Sequence, residues 1–217
     1  MPPVTAPTLN YHELVDTLLE FLEVAIHYVL YVREIYPADI FEPRRKYNVP
    51  VRMSRHPVLN GYIRDVLAGI KPDLQKGVVS KVYLAIHDPA RNVVEKFTFQ
   101  IRSLMEGIEE GVRKHAQTTI NTSDVEAYLR SFLLKIAVCD SMLNPNPPDC
   151  SFVLLVELAG DHPTPTSVST GAPWVPSEPT DVEVTSPSLI PLKTMDAGLL
   201  KMQLYVEESD AKQSSTG

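Results

Sequence analysis

Glycine is scarce in this 217-residue sequence, nine residues against nineteen prolines, and the shortage excludes several chemistries at once. There is no glycine-rich loop to cradle a phosphate and no G-x-G-x-x-G to open a dinucleotide-binding helix. No G-x-S-x-G turn presents a serine nucleophile. The six histidines (His12, His27, His56, His87, His115 and His162) are scattered, with no H-E-x-x-H and no pair four residues apart. Cys139 and Cys150 form no C-x-x-C, are too few for a disulfide framework, and read as small buried apolar residues. These patterns leave no zinc site of ordinary spacing, and no metal or cofactor is expected. Positive charge is also in deficit: the formal net charge is -7, which argues against a chain held on nucleic acid by bulk charge. The most apolar stretch, Leu18 to Val32, contains Glu20, Glu23 and His27 and falls short of the roughly 20 residues of a membrane span. The N-terminus MPPVTAPTLNYHELVD has no basic region leading into an apolar one. The expectation is therefore a soluble intracellular chain with reduced thiols and no membrane partner.

With 44% hydrophobic and 22% charged residues, what remains is the composition of one globular domain with appendages. Residues 1–8 read as a flexible Pro/Thr tail. From Leu9 to Tyr36 runs a helical pattern apolar nearly all round, which predicts a helix in the middle of the fold, with His27 a core histidine. Glu20 and Glu23 on its neighbouring turns serve its solubility; without a partner base they make no acid–base pair, and no enzyme is expected. Phe41 to Arg55 reads as a connector holding the basic run Arg44, Arg45, Lys46, Arg52 and Arg55. A helix is predicted from Pro57 to Ile70, stopped by Pro72. Val82, Leu84 and Ile86 alternate with Tyr83, Ala85 and His87, and Phe97, Phe99 and Ile101 with Lys96, Thr98 and Gln100 beyond a turn at Asp88 to Asn92, which predicts a hairpin. Residues 102–121 are polar and carry no clear pattern. Ser123 and Glu126 form a capping-box pair before an amphipathic helix reaching about Leu143. CSFVLLVEL (150–158) is apolar on both faces, as a central strand would be.

The composition then changes. Residues 159–188 hold six prolines, ten Ser or Thr, four acids and no Lys or Arg, yet they contain the single tryptophan, Trp174. Beyond them Leu200, Met202, Leu204 and Val206 alternate with Lys201, Gln203, Tyr205 and Glu207, a full-quality strand. A strand reached through so long a polar segment can dock over a ligand. Residues 209–217 read as a second flexible tail.

Several stretches together resemble a known family. The central FLEVAIHYVLYVREIYP (21–37), KYNVPVRMSRHP (46–57), FLLKIAVCDSML (132–143), NPPDCSF (146–152) and LIPLKTMDAGLLKMQLYVEE (189–208) are similar to the HORMA-domain accessory subunits of DNA polymerase zeta, relatives of the mitotic-arrest-deficient checkpoint proteins. The resemblance spans residues 9–208 and departs at 102–121 and most of 159–188. It implies an α+β HORMA fold: a central helix with flanking helices on a mainly antiparallel sheet, a core over 9–158, and a mobile C-terminal safety belt over 159–208. It implies a non-catalytic adaptor whose belt closes over a Pro-containing peptide of the polymerase zeta catalytic subunit, contacted by Tyr62 and Trp174. Leu189, Gln203 and Tyr205 match a second surface, for the C-terminal domain of a Y-family scaffold polymerase, so that the protein bridges two polymerases in translesion synthesis. Arg130 and Lys135 match a surface for pairing with a second HORMA chain, alike or different. Nuclear localisation, with a cytoplasmic share, is implied too. The alternative within the family is a checkpoint or meiotic-axis adaptor with other closure-motif clients, including anaphase-promoting-complex activators. The residues themselves leave a third reading, weak DNA contact through Arg44, Arg45, Lys46 and Arg52.

Overall fold

The computed structural model describes residues 7–160 and 174–215. Helix α1 (Tyr11–Val32) follows a three-residue strand, β1 (Thr8–Asn10), and begins on a reciprocal cap. The Asn10 side chain accepts from the Glu13 amide at 3.0 Å, and the Glu13 carboxylate accepts from the Asn10 amide at 2.8 Å. Eleven of its residues are buried, spread around the helix as its apolar pattern predicts. The helix stops at Val32, short of the predicted Tyr36, because Arg33 caps it and Glu34 turns the backbone out at φ 53°.

The chain continues through β2 (Phe41–Lys46), β3 (Val49–Ser54), α2 (Pro57–Lys76), β4 (Val79–His87), β5 (Val93–Ser103), α3 (Glu110–His115), β6 (Gln117–Asn121), α4 (Thr122–Val138), β7 (Ser151–Leu158), β8 (Pro187–Asp196) and β9 (Leu200–Ser209). Strands β7-β4-β5-β9-β8 form one antiparallel sheet in that order, while β1 pairs β6 and β2 pairs β3. Val82, Leu84, Phe97, Phe99, Met202, Leu204 and Val206 point from the sheet into the core and are all but fully buried. Phe21 of α1 lies edge-on to Phe99 of β5 at 6.3 Å and to Phe132 of α4 at 5.6 Å, so the central helix is clasped between sheet and helix.

The structure corrects the sequence reading at six places. Residues 41–54 are a hairpin rather than a connector, because Tyr47 and Asn48 both take positive φ in a two-residue turn while Phe41, Val49 and Val51 are buried. Helix α2 runs through Pro72 to Lys76: burial of Leu74 and the pairing of Asp73 with Lys76 at 2.9 Å offset the lost hydrogen bond. It ends at Gly77, φ 79°, where a Cβ would stand 2.8 Å from Ser103 Oγ. Helix α4 is capped by Asn121, which accepts from the Asp124 amide, not by Ser123. Among the described residues strand β7 lies at the edge of the sheet, not at its centre. Strand β8 went unread because Pro187 and Pro191 interrupt it, and proline is tolerated at a sheet edge. Finally, the chain does not go slack after residue 208: residues 210–215 form a short 3-10 helix that delivers Lys212 into the core.

Lys212 completes a buried ionic cluster. Its ammonium pairs with Glu95 of β5 and with Glu208 of β9, the latter at 3.0 Å, and the Arg33 guanidinium pairs with the same Glu95. Arg33 donates at 2.6 Å to the Asn144 carbonyl, whose amide donates to Glu208 at 2.7 Å. Two buried cations face two buried carboxylates. Removing one strands a charge, a loss of about 3–5 kcal/mol. Lys212→Met is expected to lower stability by that order in urea unfolding, and the further change Glu208→Gln to recover part of it by restoring neutrality.

His27 is buried and neither ring nitrogen has a hydrogen-bond partner among the described residues. Burial pushes its pKa down to about 4, against about 6.5 for a free imidazole. The unfolded chain therefore takes the proton first: stability is full above about pH 6.5 and falls as pH drops towards 4, by about 3 kcal/mol. Urea midpoints compared at about pH 7 and about pH 5 should show that slope in the wild type and a smaller one in His27→Leu.

Candidate functional site

The site begins with a strand that lacks a neighbour. On β7 the run Phe152 to Val156 is apolar but only Leu154 is fully buried, and no strand among the described residues pairs with its outer edge. An apolar edge strand is a template for another chain. Helix α2 lies beside this edge. Tyr62, 38% exposed, accepts a hydrogen bond at Oη from the Leu154 amide at 3.1 Å. Its ring meets Phe152 edge-on at 5.7 Å, and Phe152 meets Tyr36 at 6.1 Å. Burial pushes the Tyr62 phenol pKa up, so it stays a neutral hydroxyl.

Two helical turns further along α2, on the face of Tyr62, is Gly69. The indole of Trp174 lies over it: a Cβ at Gly69 would sit 3.4 Å from Nε1 and Cζ2. Tyr62 and Trp174, far apart in sequence, are thus brought to one side of α2, about 10 Å apart along the helix. Tyr36, Phe152 and Gly69 were missed. A glycine inside a helical pattern was the available signal for Gly69; Phe152 was hidden by the assignment of β7 to the sheet centre.

From Trp174 the chain goes to the other side of the sheet. The Val182 carbonyl accepts from Lys96 Nζ at 2.9 Å, and Val184 bridges Val93 of β5. Val184 packs there on Ala85 and Val93, with the outward side chains Val153 and Leu155 of β7 against them. The Thr185 carbonyl accepts from Ser209 Oγ at 3.0 Å. Residues 174–184 therefore form a strap from the helical face to the opposite face, past β7. From Trp174 to Val182 the chain includes one 3-10 turn, Pro179–Asp181, and can reach about 23 Å at most. That exceeds the ~10 Å between layers by enough to admit one more strand at ~5 Å from β7. Residues 161–173, including Pro173 beside Trp174, lie outside the described residues.

The other sequence-singled residues fall elsewhere. Leu189 of β8 pairs Glu207, and Pro191 pairs Tyr205, so Leu189, Gln203 and Tyr205 share the sheet face turned away from the helices. Leu189 is 59% exposed. Arg130 and Lys135 are exposed on α4, where Arg130, Leu134 and Val138 recur every four residues and both apolar members are about half exposed. The basic residues of the β2–β3 hairpin are divided: Arg44 and Lys46 pair across from Val51 and Val49, Arg45 and Arg52 lie on the opposite face. Lys46 binds Glu20 at 2.7 Å and Arg52 lies 5.0 Å over the Tyr31 ring. No continuous basic stripe results. Burial pushes the Cys139 thiol up to about 12, an inert core group. Among the described residues no group of three His, Cys, Asp or Glu is placed to hold a metal, and no helix is long and apolar enough to cross a membrane.

A helical layer on one sheet face, an edge strand unpaired among the described residues, and a C-terminal strap passing that edge define the class: an α+β domain whose sheet keeps one margin beside a helix and under its own C-terminal segment. The HORMA domain model matches residues 15–166, and the chain belongs to the HORMA family. It is 46% identical over 220 residues, 99% of this chain and 100% of the relative, to the human "Mitotic spindle assembly checkpoint protein MAD2B". It is 32% identical, across 88% of this chain and 84% of the relative, to the "DNA polymerase zeta processivity subunit" of Arabidopsis thaliana. Among solved structures, "C. elegans HTP-2 bound to HTP-3 closure motif 1" superposes with a TM-score of 0.71 at 13% identity, covering 92% of this chain and 87% of that one, and shares the fold. The chain is a non-catalytic HORMA adaptor.

Seating of the indole on Gly69 is testable with the protein's single tryptophan. Gly69→Ala adds only a van der Waals contact and should leave Trp174 emission unchanged, while adding about 1 kcal/mol of helix stability. Gly69→Leu should expel the indole and shift its emission to longer wavelength. An unshifted spectrum with native circular dichroism would place the indole elsewhere.

Proposed function

We propose that the strap over residues 174–184 closes on an extended, Pro-containing peptide that lies along the outer edge of β7, gripped between Tyr62 and Trp174, and that this peptide belongs to the catalytic subunit of DNA polymerase zeta. The observation that carries the reading is an apolar strand unpaired on one side among the described residues, with the chain's own C-terminal segment passing it. A peptide added there gains main-chain hydrogen bonds from the strand and specificity from the aromatic groups beside it. The name of the Arabidopsis relative, a polymerase zeta processivity subunit, supports the choice of client. On the far sheet face Leu189, Gln203 and Tyr205 offer an apolar and polar patch that the peptide leaves free. We assign it to the C-terminal domain of a Y-family scaffold polymerase, so that two polymerases are held at once in the nucleus during translesion synthesis. The exposed Arg130, Leu134 and Val138 of α4, with Lys135 beside them, form a third patch, for a second HORMA chain.

A second reading has its own support: the human relative is named for the spindle checkpoint, and the nematode structure holds a closure motif. In it, the same slot takes checkpoint or meiotic-axis clients such as anaphase-promoting-complex activators.

Isothermal titration with Pro-containing peptides tiled across the polymerase zeta catalytic subunit should find one sub-micromolar tile, with a shift in Trp174 emission. Tyr62→Ala combined with Trp174→Ala should weaken that tile at least about 100-fold, since buried aromatic anchors each contribute about 2 kcal/mol or more. Leu189→Ala with Tyr205→Ala should leave the tile bound and abolish capture of the Y-family C-terminal domain. If no tile binds and pull-downs retrieve anaphase-promoting-complex activators instead, the second reading replaces the first.

A further inference from the structure

The strap joins β8 at a strained dipeptide. Ser186 has φ 47°, the left-handed region that side-chain-bearing residues avoid, and it stands directly before Pro187, a position that favours extended backbone. Ser186, Pro187 and Ser188 are all exposed. The three contacts that fix the strap to this sheet face immediately precede Ser186: Lys96 to the Val182 carbonyl, Val184 on Val93, and Ser209 to the Thr185 carbonyl. The surroundings are acidic. Glu183 and Asp210 are exposed nearby in the chain, Asp88 lines a cavity with Thr185, and Ser188 and Leu189 pair Glu208 and Glu207. Of the nearby cations, Lys96 is engaged with Glu207 at 3.0 Å and Lys212 with Glu95 and Glu208, while Arg91 is exposed in the Asp88–Asn92 turn.

We propose that Ser186 is a modification site for a proline-directed serine kinase, and that a phosphate on it loosens the sheet-side anchor of the strap. The γ-phosphoryl of ATP passes to Ser186 Oγ: a new P–O bond forms, the bond to ADP breaks, and the hydroxyl proton goes to the kinase's base. A kinase that selects Ser-Pro takes its substrate extended, so the left-handed docked form of Ser186 is a poor substrate and the undocked form a good one. The product carries about two negative charges at neutral pH. Placed among Glu183, Glu207, Asp88 and Asp210, with Lys96 and Lys212 already engaged, it opposes re-docking. Applied to the peptide clamp proposed above, on which this consequence rests, phosphorylation makes the clamp release.

The test uses the full chain, ATP and a proline-directed kinase, with the site mapped by mass spectrometry and the strap followed by hydrogen exchange at the amides of residues 182–185. Ser186 should be modified in the wild type and no label should appear there in Ser186→Ala. Phosphorylation, or Ser186→Glu, should speed exchange at these amides about ten-fold; Ser186→Gly, which removes the strain, should slow it by several-fold up to about ten-fold. A bound peptide tile should suppress the modification and leave about ten-fold faster from the phosphorylated protein. No phosphate at Ser186, or unchanged exchange once it is there, overturns the proposal. Loosened exchange in a protein that binds no tile would uphold the site and overturn the clamp instead.

Discussion

Helix α1 presents buried side chains in several directions at once: Phe21 to both Phe99 of β5 and Phe132 of α4, and Tyr11 through its hydroxyl to the Leu74 carbonyl at the end of α2, 2.8 Å away. A helix with so little polar face has to be covered on every side, and the fold is the way that covering is arranged. The sheet closes one side and helices α2 and α4 close others. The placement of α2 against the end of the sheet follows from this demand, and with it the position of Tyr62 and Gly69 beside β7. The juxtaposition of α2 and β7 is therefore a by-product of packing the central helix: α2 cannot cover α1 without also lining the edge strand.

The C-terminal segment is joined to this frame by charge as well as by strand pairing. Each half of the buried cluster pairs one cation with one carboxylate, Arg33 with Glu95 on the frame, where the exposed Asp140 also reaches Arg33, and Lys212 with Glu208 on the C-terminal segment. Pairing the halves in the interior is favourable only while all four groups meet. Glu208 also holds the Asn144 amide, so the loop leading into β7 is tied to the last strand of the sheet. The loop that leads into the edge strand and the C-terminal end of the chain share one buried network.

Much of this could be read from residue order. The alternation of Met202, Leu204 and Val206 placed Gln203 and Tyr205 on the outer face before any coordinates, because strand parity leaves no freedom. The β4–β5 hairpin was written in its alternation and turn. Trp174 stood out because a large apolar ring in a polar segment needs a cover, and α2 supplies it at Gly69. What failed to show itself depends on tertiary context. An apolar run such as Phe152 to Val156 looks the same at the centre of a sheet and at an edge that awaits a strand. Pro72 breaks a helix in isolation but not one whose last turn is buried. The Tyr47-Asn48 turn uses two residues at positive φ without glycine, so no local signal marked the hairpin.

The two margins of the sheet are unlike. At β8, Pro187 and Pro191 have no amide hydrogen to offer a further strand, and a register shift follows Pro191. At β7 the margin is free of proline and carries Leu154 with its amide turned outward to Tyr62. A sheet unpaired at one margin among the described residues and blunted at the other has an edge fit for one added strand and none to hand it on. Chains of this kind can therefore use the chemistry that builds fibrils and still stop at a single added strand, and two copies meeting edge to edge leave no third edge on which an assembly could grow.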